Sequence, residues 1–506
     1  MHERPVETLA LPAPLLETVF CRSAPTMSRA VDTHERRRTK LICTIGPATA
    51  RRIEALATAG MDVARINLSH GTPASHAAAA LAVRRAAAAH QAPLGILIDL
   101  AGPKIRLGDL PGGSVDLVAG RPFVLRPSGP RVAAADASSA KVSYRRMAAD
   151  VRIGDPIFLA DGAAELRVTG LDDGVRTEVV RGGKIRSRAG VTIPAARLSS
   201  AALTAKDRSD IPRAIAIGAS YLGLSFVRSA HDVMQLRELL GMDGPAIVAK
   251  IETRPAVESF DEILDVADAV MIARGDLGVE MPYEEVPLIQ KQLVRRALDH
   301  GVPSIVATQM LESMTAAPRP TRAEASDVAN AVFDGADAIM LSGETAIGAY
   351  PVQSAEVAAR IASLCETQGA AHLPDGMARP PATDADAIAY AAVALTSAHP
   401  AIEAIGCYTR TGRTARVLSS LRPPVPVIAF SPDVEVVARL ALVNAVIPRL
   451  CAPLDGPDRI AQLDRLLGET QLLADGTTVV LVSSTATPGS GPNLVGVYRV
   501  GIASQP

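Results

Sequence analysis

Long apolar runs are missing from this chain. None reaches the roughly 18 residues that a bilayer-spanning helix needs, so an anchor of that kind is excluded. Cysteine is scarce: Cys21, Cys43, Cys365, Cys407 and Cys451 are scattered, with no CxxC spacing. An odd, sparse set fits reduced thiols in a cytoplasm better than a disulfide framework or a zinc site. An excess of one charge is missing too. The formal net charge is −1, which gives no bulk attraction to nucleic acid or a membrane surface, so anion binding must come from local basic groups. Tryptophan is absent, yet 48% hydrophobic and 21% charged residues are ordinary for a soluble globular protein. GxxxxGK[ST], a strand-linked GxGxxG and HExxH are all absent, so no P-loop, dinucleotide fingerprint or zinc-protease helix is available.

What is present must fold as more than one unit, because 506 residues are too many for one core. Residues 1–36 contain Pro, carry mixed charge and lack the compact apolar core of a signal peptide. They are expected to form a poorly ordered extension, inside which Met27 offers an alternative start to Met1.

Eight short apolar segments follow, mostly separated by helix-length stretches: 41–46, 63–69, 94–100, 221–227, 246–252, 269–276, 304–310 and 338–344. Continuous Val/Ile/Leu/Ala runs alternating with helices mark buried parallel strands in βαβ units. Eight such units predict an α/β fold built on a (β/α)8 TIM barrel over 37–106 and 204–370, with catalytic groups at the C-terminal strand ends. A large open doubly wound sheet would also place polar residues at strand ends. About 120 residues separate the third and fourth strands, far more than a crossover requires. The insert, 107–203, alternates short Val-rich runs with Gly/Asp/Pro turns and is expected to be a small all-β lid that closes over the rim. A Pro/Gly/His linker, 371–384, leads to a second α/β domain over 385–506.

Residues i, i+2 and i+4 of a strand share a face, so Arg65, Asn67 and Ser69 point together, and Asp99 ends the next strand. This set can hold a phosphate and a cation, or be a surface ion pair beside a helix cap. Lys250 and Glu252 are again two apart, and Asp276 ends the following strand. Two carboxylates from adjacent strands suit Mg2+ or Mn2+, and a neighbouring lysine can stabilise an enolate or a transferring phosphoryl group. Lys250–Glu252 can equally be a salt bridge. The loop 409–414 offers Thr409, Thr411, Gly412, Arg413 and Thr414 to a phosphorylated effector, or is an ordinary turn.

At these residues the sequence resembles pyruvate kinase: CTIGPAT (43–49), ARINLSHG (64–71), GPKIR (102–106), AKIET (249–253), ARGDLGVEMP (273–282), TQMLESM (308–314) and the long run 319–351. The resemblance covers approximately residues 38–500. It implies transfer of the phosphoryl group of phosphoenolpyruvate to ADP, giving pyruvate and ATP. It further implies that Arg65 contacts the substrate phosphate, that Glu252 and Asp276 bind Mg2+ or Mn2+, and that Gly275, Asp276 and Thr308 receive the carboxylate. Lys250 stabilises the enolate, Thr308 belongs to the proton path, and Arg106 and His70 meet the nucleotide. A cytoplasmic homotetramer is implied as well.

Three departures from the family pattern stand out. Asn67, Ser69 and Asp99 match its potassium site, but Leu100 replaces a Thr and Lys104 a Glu. This combination is similar to the potassium-independent branch, with the Lys104 ammonium standing in for K+. In the lid, Ala189 and Thr192 replace a basic residue and an Asn. In the C-terminal domain, GSGPNL (489–494) departs from the usual ending, so a sugar monophosphate or AMP is at least as good an effector as fructose 1,6-bisphosphate. Two other functions stay open at this point: a phosphoenolpyruvate-handling lyase, against which Arg106 and the lid argue, and a catalytically silent ligand sensor.

Overall fold

The computed structural model describes residues 37–127, 136, 138–172, 174–194, 198–376, 380–454, 458–484 and 492–501. The expected N-terminal extension lies outside them, as do residues 489–491 of the 489–494 motif. The eight apolar segments are strands: β1 (Lys40–Thr44), β2 (Val63–Asn67), β3 (Gly95–Asp99), β4 (Tyr221–Leu224), β5 (Ala246–Ile251), β6 (Ala269–Ala273), β7 (Ser304–Ala307) and β8 (Ala338–Leu341). Each pairs in parallel with the next, and β8 closes onto β1. The open-sheet alternative is thereby overturned. All eight strands stop short of the expected ends: Glu252 and Thr308 lie just past β5 and β7, Ser69 in a turn beyond β2, and Asp276 in the first turn of a helix, Arg274–Glu280. Side chains there are set by turn and helix geometry rather than by strand alternation.

Crossover helices begin where the local chemistry can satisfy their free N–H groups. Thr72 and Ser75 form a capping box ahead of Pro73–His90, Thr204 and Asp207 one ahead of Ala205–Ala216, and Thr321 and Glu324 one ahead of Arg322–Phe333. Two apolar layers result. One lies between strands and helices, and includes Leu56, Val83, Phe260 and Leu293. The other fills the barrel with Ile42, Leu97, Val248, Met271, Ile305 and Met340, joined by Ala441 and Leu442 from the C-terminal domain.

Among its described residues the insert between β3 and β4, 107–203, is all-β apart from short helical turns. Pro122–Pro127, Ser139–Val142, Pro156–Leu159, Ala164–Gly170, Val175–Arg181 and Val191–Thr192 form a six-stranded sheet, and Ser114–Leu117 pairs with Gly183–Arg186. Burial alternates along Ala164–Gly170, so this sheet has one face on its own core, around Phe123, Leu125, Ile157 and Leu166. Where the chain leaves and re-enters the barrel, buried Asp207 accepts from the N–H groups of Ala101 (2.9 Å) and Gly102 (3.2 Å), clasping the two connections together.

The C-terminal sheet contains Ile402–Tyr408, Val427–Ser431, Val446–Leu450 and Thr478–Ser483 in parallel, with Leu494–Arg499 antiparallel at one edge. It docks on the closed end of the barrel. Tyr221 Oη donates to Arg439 O (2.8 Å) and the buried Lys40 Nζ to Val446 O (2.7 Å). No helix among the described residues is long and apolar enough to cross a membrane.

Candidate active site

The C-terminal strand ends open on one cleft, lined by Arg65, Asn67, Ser69, Asp99, Leu100, Lys104, Ser225, Lys250, Glu252, Met271, Ala273, Asp276, Thr308 and Met340. Ten residues singled out in the sequence, Leu100 among them, thus meet in one place. His70 and Arg106 are not in the lining, but Lys104, Arg106 and Arg65 are the charges acting on His70. The 409–414 loop belongs to the other domain and takes no part in the cleft.

Opposite charges are packed tightly here. Arg65 holds Asp99 Oδ2 through Nε (2.8 Å) and Nη2 (2.7 Å), while its Nη1 donates to Thr44 Oγ1 (3.0 Å). Lys250 Nζ lies 2.7 Å from Glu252 Oε1 and 3.6 Å from Asp99 Oδ2, and donates to Ser225 Oγ at 2.9 Å. All four charged side chains are buried. Burial pushes the Asp99 carboxyl up, but Arg65 and Lys250 outweigh it and hold the group below the usual carboxylate range. Burial lowers Lys250, but Glu252 and Asp99 more than reverse this and keep it firmly charged. Glu252 goes the other way, raised by burial against the pull of Lys250, with the nearby Asp276 charge adding to the rise. Lys104 is lowered, by burial first and then by the like charge of Lys250.

The repulsion between Glu252 and Asp276 is the observation that bears on a metal. A buried carboxylate, Glu252, whose proton affinity is raised in part by the charge of a second carboxylate in the same cleft fits a divalent cation. Among the described residues no group of three or more His, Cys, Asp or Glu is placed to hold a metal. The donor set therefore suits an ion that takes its other ligands from water and substrate, as Mg2+ and Mn2+ do. The residues expected to form a monovalent-cation pocket show a different signature. Asn67 and Ser69 are joined by a bond from Ser69 N–H to Asn67 Oδ1 (2.9 Å), and Asp99 Oδ1 is buried with no hydrogen-bond partner.

Opposite this cluster, Thr308 has φ +72°, a left-handed conformation that a β-branched residue rarely adopts. Arg274 secures it by donating to Thr308 O (2.7 Å) while pairing with Asp327. Thr308 Oγ1 donates to Ala307 O (2.6 Å) and accepts from Gly275 N–H (2.8 Å). Gly275, expected to face a substrate carboxylate, thus has its amide engaged by Thr308. In the C-terminal domain, Gly412 at φ +81° starts the helix Arg413–Ser420, its N–H donating to Thr409 Oγ1 (2.9 Å); Arg413 lies 3.9 Å from Asp386. Arg106 donates to Arg188 O (3.1 Å), tying the barrel rim to the lid.

A family model described as pyruvate kinase, barrel domain, matches residues 36–355, and one described as pyruvate kinase, alpha/beta domain, matches residues 386–497. This chain belongs to the pyruvate kinase family. Like other pyruvate kinases it is a phosphotransferase. Pyruvate kinase of Mycobacterium tuberculosis is 40% identical over 478 residues, covering 92% of this chain and 99% of the relative. That of Bacillus licheniformis is 39% identical over 478 residues, covering 92% and 81%. A solved pyruvate kinase from Cryptosporidium parvum superposes with a TM-score of 0.83 at 32% identity, over 93% of this chain and 98% of the other.

Several pyruvate kinase site neighbours escaped the sequence reading. Thr44 and Ser225 sit in segments read as strands, and it is lateral pairing of β1 with β2 and of β4 with β5 that brings them to Arg65 and Lys250. Phe226 contributes a backbone amide, which donates to Glu252 Oε2 (2.8 Å) and carries no side-chain signal at all.

Proposed function

We propose that this chain transfers the phosphoryl group of phosphoenolpyruvate to ADP in the cleft at the C-terminal strand ends. The carrying observation is the buried quartet Arg65–Asp99–Lys250–Glu252, two cations and two anions at one strand-end floor. Phosphoryl transfer demands little covalent chemistry from a protein and much fixed charge where charge develops. The bond from phosphorus to the enol oxygen breaks, a bond to the terminal oxygen of ADP forms, and the enolate takes a proton at carbon to become pyruvate.

In this reading Arg65 binds the phosphate and Lys250 stabilises the enolate oxygen. Gly275, Asp276 and Thr308 receive the carboxylate, with Thr308 also on the proton path. Arg106 and His70 meet the diphosphate of the nucleotide. Glu252 and Asp276 would hold Mg2+ or Mn2+, which when bound supplies Lewis-acid stabilisation of the phosphoryl and enolate oxygens. The lid excludes water. We assign the barrel to 37–106 and 204–370, the lid to 107–203, the linker to 371–384 and a regulatory domain to 385–506.

K+ is not required in this reading. Leu100 supplies no side-chain oxygen, and Lys104 brings its ammonium to the same cleft, acting on Asp99 as a monovalent cation would. Thr409, Thr411, Gly412, Arg413 and Thr414 form the effector loop, for a phosphorylated sugar or AMP. The protein is assigned to the cytoplasm as a homotetramer.

The test is pyruvate formation from phosphoenolpyruvate and ADP, titrated with Mg2+ in the wild type, Glu252→Gln and Asp276→Asn. The wild type should turn over, and each variant should need much more Mg2+. A wild type that binds both substrates without forming pyruvate would instead mark a silent sensor.

A further inference from the structure

We infer that Ser225 is the positioning residue for Lys250, and that the Ser225–Phe226 turn sets the lysine and Glu252 as one unit. The inference rests on the reading of Lys250 as the group that stabilises the enolate.

The geometry is directional. Ser225 Oγ donates to Leu100 O (2.9 Å) and accepts from Lys250 Nζ (2.9 Å). A serine hydroxyl has one proton. Spending it on Leu100 O leaves only lone pairs facing the ammonium, so the hydroxyl is fixed as an acceptor. The next residue, Phe226, gives its N–H to Glu252 Oε2 (2.8 Å) from a left-handed backbone, φ +56°. Non-glycine residues hold that conformation where surrounding structure enforces it. Here the enforcement comes from close packing: a side chain at Gly102 would collide with both Ser225 and Phe226. Gly102 is in turn fixed through its N–H by Asp207.

An ammonium has three N–H donors. Two of the partners near Lys250 are carboxylates, Glu252 at 2.7 Å and Asp99 at 3.6 Å. Glu252 is also the residue assigned to the divalent cation, and Asp99 already serves Arg65. Ser225 is the remaining partner, and it is neutral. It anchors Lys250 without cancelling the charge that the reaction uses. When the carboxylates turn to other cations, the Ser225 bond can persist and keep the ammonium in register.

Two substitutions separate this role from packing. Ser225→Ala deletes the acceptor. Ser225→Cys keeps a side chain of similar size, but its sulfur is a weak acceptor. With Mg2+ saturating, both variants should lose kcat by on the order of tenfold to a hundredfold, as expected of a misplaced catalytic group. The KM for phosphoenolpyruvate should move less than about threefold in both, since uniform binding is spared. Thermal midpoints close to wild type should accompany this. Wild-type kcat in Ser225→Cys, with a loss only in Ser225→Ala, would mean that volume matters and would overturn the inference. So would unchanged kcat in both, or kcat and KM worsening together with a lowered thermal midpoint. An active wild type with unaffected variants refutes Ser225 alone; a wild type that forms no pyruvate refutes the parent reading and this inference with it.

Discussion

Arg65 grips Asp99 through a single oxygen: Nε and Nη2 both reach Oδ2, at 2.8 and 2.7 Å. Lys250 shares that same oxygen at 3.6 Å, and Oδ1 is left buried and unpaired. One carboxylate therefore tethers two cations assigned to opposite ends of the reacting group. Asp99→Asn would take from Arg65 its carboxylate partner and leave Lys250 with Glu252 alone. Removing one partner of a buried pair costs about 3–5 kcal/mol, so denaturant melts should show a loss of that size, with kcat falling more steeply than phosphoenolpyruvate affinity. Unchanged stability in Asp99→Asn would show that the pair contributes nothing net.

Gly223 lies opposite Asp99 in the β3–β4 register, and a methyl group there would overlap Asp99 Oδ1. Gly223→Ala must displace the carboxylate, and with it Arg65 and Lys250. The expected outcome is a folded protein with kcat reduced roughly a hundredfold, as misplacement of catalytic groups predicts. Steady-state kinetics with circular dichroism checks both halves of that statement.

His70 carries the pH prediction. Burial, then Lys104, Arg106 and Arg65, hold its pKa below the usual 6.5. The unfolded chain consequently takes up the proton first as pH falls. Stability is lost on descending through about 6.5 and stops falling below the folded pKa. His70→Gln should flatten that limb of a plot of thermal midpoint against pH from 5 to 8. An identical limb in the variant would assign the titration elsewhere.

Leu442 stoppers the closed end of the barrel, fully buried in the cluster that includes Met271 and Met340, which also line the catalytic cleft. Leu442→Ala should cost about 2–5 kcal/mol, the range for a buried leucine truncated in a core. Thermal unfolding followed by both intrinsic signal and residual activity would detect it. A midpoint within one degree of wild type would mean that the domains dock without this side chain.

The barrel was legible because its strands are buried on both faces, so each reads as an unbroken apolar run ending in polar residues. Lys250 and Glu252 were legible as an i, i+2 pair for the same reason. What the sequence hid were contacts made sideways between strands. Asp99 and Lys250 sit on β3 and β5, with β4 between them, and only a glycine at 223 lets the carboxylate lean across. Phe226 acts through its amide, Leu100 through its carbonyl and Thr308 through an unusual φ, none of which a residue name announces. Asp276 was placed at a strand end because the apolar run gives no sign that the chain turns helical at Arg274.

The most direct measurement is the rate of pyruvate formation from phosphoenolpyruvate and ADP with Mg2+ in a K+-free tetramethylammonium buffer, repeated after K+ is added. A full rate before K+, with little further gain, is the predicted result. A rate that appears only with K+ would contradict the Lys104 assignment, and no pyruvate in either buffer would contradict the function itself.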